Sequence, residues 1–217
     1  MVNSNSDLTN RVFAIIYRNW RDALWHSFGV EDLQKKQRMK CSVLTNPFLL
    51  IKDYLYRILK EVSRVASEIN RDLKDSEPLF LSVLNGSFMF AADLMKNIEI
   101  PCEISFVKLA SYCGDSSTGK VKELVGLNED ITGRTVVIVE DIVDTGLTME
   151  RLIETLKARN PKEIRIATLL VKPDKLQVDL KIDYVAMNIP NDFIVGYGLD
   201  YDGKGRNYRD IYTVVSE

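Results

Sequence analysis

The run TVVIVED, residues 135–141, constrains this chain more than any other stretch. Four consecutive β-branched apolar residues leave a strand no face for water, so it must be covered on both sides. The segment that follows, TMERLIETLKAR at residues 148–159, carries the 3.6-residue spacing of an amphipathic helix. A strand buried on both faces and followed directly by a helix is the unit of a parallel sheet.

The rest of the chain repeats this alternation. Leu55, Ile58, Leu59, Val62, Val65, Ala66, Ile69 and Leu73 fall on one face of a long helix, in a pattern that becomes regular from Lys52. LFLSVL at 79–84 reads as a buried strand. Ser87 then stands as N-cap of a helix whose apolar stripe is Phe88, Ala91, Leu94 and Met95. EISFVKLA at 103–110 alternates like a strand, SYCGDSSTGK at 111–120 has loop composition, and VKELVGL suggests a strand returning from it. IRIATLLVK at 164–172 is the next strand, and DYVAMNIP and DFIVGYGLD suggest two short ones. The expected fold is α/β: a central, mostly parallel sheet with helices on both faces.

Residues 1–42 differ from the remainder and are expected to be an N-terminal extension to a domain spanning 43–217. They read as a docking helix for a partner, as a loosely packed segment, or as residues before a start at Met39.

Composition narrows the chemistry. A net charge of −2 gives no basic surface for nucleic acid and no attraction to a membrane. No apolar run is long enough to span a bilayer. Three cysteines without paired spacing suggest reduced thiols in a cytosol. One histidine, His26, supplies neither a metal cluster nor a Ser-His-Asp triad elsewhere.

In open α/β sheets ligands sit at the carboxyl ends of the strands. There this chain places Glu140, Asp141 and Asp144, then the turn Thr145, Gly146, Leu147 and Thr148. A helix start with small and hydroxyl residues is a cradle for phosphate. Carboxylates beside a phosphate need a reason: they accept from sugar hydroxyls, or they share Mg²⁺ with the ligand. A phosphorylated ribose satisfies both.

VVIVEDIVDTGLT resembles the phosphoribosyl diphosphate motif of type I phosphoribosyltransferases, with hypoxanthine(-guanine) enzymes the nearest branch. VLNGSFMFAADL, LASY and NDFIVGYGLDYDGKGRNYRDIY resemble further segments of that family in the same order, so that the likeness spans residues 45 to 215. The resemblance implies an α/β core with a small hood, a homodimer or homotetramer, and Mg²⁺ as cofactor. It also implies transfer of a 5-phosphoribosyl group from phosphoribosyl diphosphate to a 6-oxopurine, giving IMP or GMP. The same resemblance implies roles for individual residues. Asp144 would handle the purine N7 proton, and Glu140 and Asp141 would face the ribose hydroxyls and the metal. Thr145, Gly146, Leu147 and Thr148 would hold the 5′-phosphate. Lys172 would donate to the 6-oxo group, Phe193 would stack on the base, and Ile194 would lend it backbone groups. Asp200 would hold Mg²⁺ and Arg206 would reach the pyrophosphate. Asn85, Gly86 and Ser87 form the pyrophosphate loop, in which many relatives carry lysine where Asn85 stands. Ser111 and Tyr112 would begin a mobile lid. Guanine and xanthine are not distinguished. A catalytically silent nucleotide sensor is the alternative of another class, and the presence of both Asp144 and the Ser111–Tyr112 pair argues against it.

Overall fold

The computed structural model describes residues 48–109 and 124–215. The expected extension over residues 1–42, and Ser111 and Tyr112 of the expected lid, lie outside the described residues.

Five parallel strands form the centre of the fold. They are β2 (Leu79–Leu84), β3 (Glu103–Leu109), β5 (Thr135–Val143), β6 (Glu163–Val171) and β7 (Tyr184–Asn188). The two-residue β4 (Leu124–Val125) pairs antiparallel with β3, as expected of a returning strand, and gives the order β4-β3-β2-β5-β6-β7. Helices α1 (Leu55–Asp72), α2 (Phe88–Met95) and α3 (Leu147–Lys157) complete the layers. Val136 and Ile138 of β5 join the core that contains α3, whereas Val137 and Val139 join the core that contains α1 and α2. Alternate residues of one strand thus enter two separate cores, which is why the run carries no polar position. Among the described residues no helix is long and apolar enough to cross a membrane.

The long helix begins at Leu55, and Lys52 belongs instead to a strand, β1 (Phe48–Asp53). Ile58, Val62, Val65, Ala66 and Ile69 are buried along α1, while Leu59, expected in the stripe, is 38% exposed. Arg64 fastens this helix to the sheet by donating to the carbonyls of Val185 at 2.7 Å and Ala186 at 3.1 Å. In α2 the stripe also shifts, because Phe88 is exposed while Phe90, Ala91 and Leu94 are buried.

DFIVGYGLD does not extend the main sheet. Only Ile194–Val195 is strand (β8), and it pairs antiparallel with β9 (Ile211–Val215), which in turn pairs with β1. Positive φ at Gly196, Tyr197 and Gly198 ends the extended run. This three-stranded sheet, built from the two ends of the described chain, is the smaller unit beside the main sheet.

Candidate functional site at the carboxyl edge of the sheet

β5 is longer than its neighbour. Its pairing with β2 ends at Ser82 and Val139, whereas pairing with β6 continues to Val143 and Val171. Glu140 and Asp141 are therefore the first residues past the point where β2 leaves. β2 turns away through a cis Leu84–Asn85 peptide, with Asn85 exposed and Gly86 buried. A Cβ on Gly86 would stand 1.5 Å from Asp141 Oδ2, so the glycine is what lets this loop lie against the acid.

Ser87 occupies the N-cap position of α2 without capping it. Its hydroxyl instead donates to the carbonyl of Val83 at 2.6 Å and lies 2.7 Å from Ser82 Oγ. The side chain is consumed in bracing the loop, which leaves the backbone N–H groups of Gly86 and Ser87 as the features that can meet an anion. The turn before α3 is built similarly. Gly146 is left-handed at φ 81°, and no side chain caps the helix. The first N–H groups of a helix have no intrahelical acceptor, so those of Leu147 and Thr148 are available to phosphate oxygens. Thr145 is half-buried, and Leu147 and Thr148 are exposed. Beneath the turn, a Cβ on Gly146 would meet Val178 Cγ2 at 2.7 Å.

Glu140 and Asp141 are both 9% exposed. Glu140 Oε2 is buried without a hydrogen-bond partner, while Asp141 Oδ1 accepts from the Ile142 N–H at 2.9 Å. Burial first, and the neighbouring Asp141 second, push the Glu140 carboxyl well above its ordinary value. A raised carboxyl pKa means that the folded chain holds this proton more tightly than the unfolded chain. Ligand-free stability is then greatest below the unfolded value of about 4.3 and declines as pH rises from there toward the folded value. Glu140→Gln removes that penalty, and its amide can donate to Asp141. Thermal denaturation of the ligand-free protein at pH 7 should show the variant melting at a higher temperature than the parent, with the advantage vanishing near pH 4.

Lys172, at the end of β6, is 7% exposed and is not a solvated strand-end lysine. Its N–H donates to the Val143 carbonyl at 3.0 Å, and its Nζ lies 3.6 Å from Asp144 Oδ2. Phe193 is 53% exposed, so its ring is not spent on core packing; it meets Tyr201 edge-on at 5.3 Å. Ile194 is buried and offers only its backbone. Asp200 Oδ2 accepts from the Gly203 N–H at 2.7 Å and Oδ1 pairs with Arg206. Arg206 Nη1 also donates to the Gly198 carbonyl at 2.7 Å. A Cβ on Gly198 would lie 2.1 Å from the Gly86 carbonyl oxygen, so the turn leading to Asp200 rests on the loop after β2.

Among the described residues no three His, Cys, Asp or Glu side chains cluster to hold a metal ion by themselves. The oxygen donors that are present suit a hard cation of another kind. Mg²⁺ binds through one or two carboxylates and completes its shell with substrate oxygens and water. The buried Glu140 Oε2, which has no hydrogen-bond partner, next to Asp141 is the feature that fits it.

Two interactions here had no signal in the sequence beyond residue type. They are Lys175, 3.3 Å from Asp144, and the edge of Tyr201 against Phe193.

The phosphoribosyl transferase domain family matches residues 52–202. The hypoxanthine-guanine phosphoribosyltransferase of Streptococcus pyogenes serotype M3 is 43% identical over 155 residues, covering 71% of this chain and 84% of that protein. A crystal structure of a hypoxanthine-guanine phosphoribosyltransferase from Bacillus anthracis superposes with a TM-score of 0.71 at 40% identity, covering 76% of this chain and 98% of the other. The Trypanosoma cruzi hypoxanthine phosphoribosyltransferase in complex with the product IMP gives 0.71 at 38% identity, covering 76% and 93%.

Proposed function

This chain belongs to the type I phosphoribosyltransferase family, and from that premise we propose that it salvages purines, transferring 5-phosphoribosyl from phosphoribosyl diphosphate to hypoxanthine and guanine. The products are IMP or GMP and pyrophosphate. The observation that carries this reading is the buried Lys172 lying 3.6 Å from Asp144 at the carboxyl edge of the sheet. A lysine only donates, so it accepts a 6-oxo group and rejects a 6-amino group. Asp144 beside it is the acceptor for the adjacent N7 proton.

The other roles follow from placement. Thr145, Gly146, Leu147 and Thr148 hold the 5′-phosphate with N–H groups and hydroxyls. Glu140 and Asp141 accept hydrogen bonds from the ribose hydroxyls. The Gly86 and Ser87 amides, with Arg206, take the pyrophosphate, and exposed Asn85 borders that loop. Phe193 stacks on the base, and the backbone of Ile194 meets its edge. Ser111 and Tyr112, outside the described residues, keep the role of lid, which would exclude water from C1′. In the reaction the bond from C1′ to pyrophosphate oxygen breaks and its electron pair leaves with pyrophosphate. Purine N9 bonds to C1′, and the N7 proton passes to the Asp144 carboxylate. Glu140, Asp141 and Asp200 would hold Mg²⁺, which supplies counter-charge for the diphosphate.

Ile104 and Phe106 share the sheet face beside α2 and are 38% and 45% exposed. An uncovered apolar face of this kind suits burial against a second copy, as a homodimer or homotetramer. We take the domain as residues 43–217 and the enzyme as cytoplasmic.

A substrate panel tests the reading. Hypoxanthine, guanine, xanthine, adenine and uracil are each supplied with phosphoribosyl diphosphate and Mg²⁺. Turnover with hypoxanthine should exceed that with adenine or uracil at least about a hundredfold, since a site built around one donor leaves it unpaired with the wrong base. Equal rates with adenine would sink the assignment.

A further inference from the structure

Asp144 is met by two lysines. Lys175 Nζ donates to Asp144 Oδ2 at 3.3 Å and lies 3.3 Å from Oδ1 as an ion pair, although Oδ1 itself accepts no hydrogen bond. Lys172 Nζ lies 3.6 Å from Oδ2, beyond hydrogen-bonding distance. Both lysines reach one carboxylate because of the turn between them. Residues Pro173–Lys175 form a 3₁₀ helix, closed by the Lys175 N–H on the Lys172 carbonyl at 3.0 Å. The turn brings the backbone of Lys175 back against that of Lys172, and from there both ammonium groups come within 4 Å of Asp144.

The turn is anchored on both sides of Asp144. Lys172 N–H bonds to the Val143 carbonyl at 3.0 Å, and Gln177 N–H bonds to the Thr145 carbonyl at 2.9 Å. Leu176, Val178 and Leu180 then pass under Gly146 within van der Waals reach of any Cβ placed there. The segment after β6 is thus bonded to the residue before Asp144 and to the residue after it. That is the arrangement of a part which positions a side chain.

We propose that Lys175 is a positioning residue that stays on the Asp144 carboxylate when Lys172 is drawn to the 6-oxo group of the purine. This rests on the roles of Asp144 and Lys172 given above. Two cations share one carboxylate, and the arriving base brings an acceptor for one of them. Lys172 is almost wholly buried and can exchange one acceptor only for another inside the site. Lys175, with a side chain 37% exposed, is the cation that water can also serve and that need not move. Without it, Asp144 would hold Lys172 back from the base and would also lose its second anchor.

Steady-state kinetics of Lys175→Ala, Lys175→Arg, Asp144→Asn and the double variant Lys175→Ala/Asp144→Asn test this. Lys175→Ala should lower kcat and raise KM for hypoxanthine, each by about three- to tenfold, the range expected of a charge-assisted contact that is partly screened by solvent. KM for phosphoribosyl diphosphate should stay within about twofold, because no phosphate-holding group is touched. Lys175→Arg should restore most of the loss. In the Asp144→Asn background, Lys175→Ala should have no further effect, since the partner it acts through is gone. An unchanged Lys175→Ala enzyme, or equal losses in both backgrounds, would overturn the proposal. A fully active Asp144→Asn enzyme would overturn the assignment of Asp144 itself, a separate and recognisable failure.

Discussion

Replacing Asp144 with asparagine should lower turnover with hypoxanthine by about 10²- to 10⁴-fold, the range that a positioned acid–base group contributes. Asparagine keeps the shape of the side chain but cannot take the N7 proton, and its amide cannot pair with both Lys172 and Lys175 as the carboxylate does. Phosphoribosyl diphosphate binding, measured by calorimetry, should change by less than about threefold, because the groups assigned to its phosphates are backbone amides, threonine hydroxyls and Arg206. This split between chemistry and binding is the diagnostic. A parallel loss of both would mean that Asp144 supports the phosphate loop and does not act on the base.

Gly86→Ala is the second large effect, and it fails for lack of room. The new methyl would fall 1.5 Å from Asp141 Oδ2 and 2.4 Å from its Cγ. Asp141 cannot retreat freely, since its other oxygen accepts from the Ile142 amide at 2.9 Å. Nor can the loop simply lift, since the Gly198 turn presses on the Gly86 carbonyl from the other side. Displacing the loop proposed to bind pyrophosphate by about 1 Å should lower kcat/KM at least a hundredfold, and overpacking should destabilise the fold by about 1–3 kcal/mol. Unlike Asp144→Asn, this variant should lose phosphoribosyl diphosphate affinity together with rate. Calorimetry on protein verified as folded by circular dichroism separates the two cases. Activity within a few fold of the parent would show that Asp141 and this loop are not held together as described.

The two variants mark different kinds of legibility. Asp144 could be found in the chain because strand, acid and helix start are adjacent in sequence, and local order decides which end of a strand a side chain occupies. Gly86 could be suspected from the turn, but its reason is a carboxylate more than fifty residues away. The same divide separates the elements. β2, β5 and β6, and the helices after β2 and β5, show in their periodicity because their burial follows from their own residue pattern. β1 and β9 were not legible, since each is made a strand by pairing with the other across most of the chain.

By itself the sequence determined the order of strands and helices, the strand buried on both faces, and the acids and small turn that close its carboxyl end. Those are properties of neighbouring residues, whose spacing dictates which face meets the core. Only the tertiary structure decided that Glu140 Oε2 has no hydrogen-bond partner, that Lys172 is buried, and that Lys175 shares Asp144 with it. It also decided that the Asp200 turn rests on the loop after β2. Burial and pairing between distant segments depend on how strands register and which turns abut, and no local pattern encodes that.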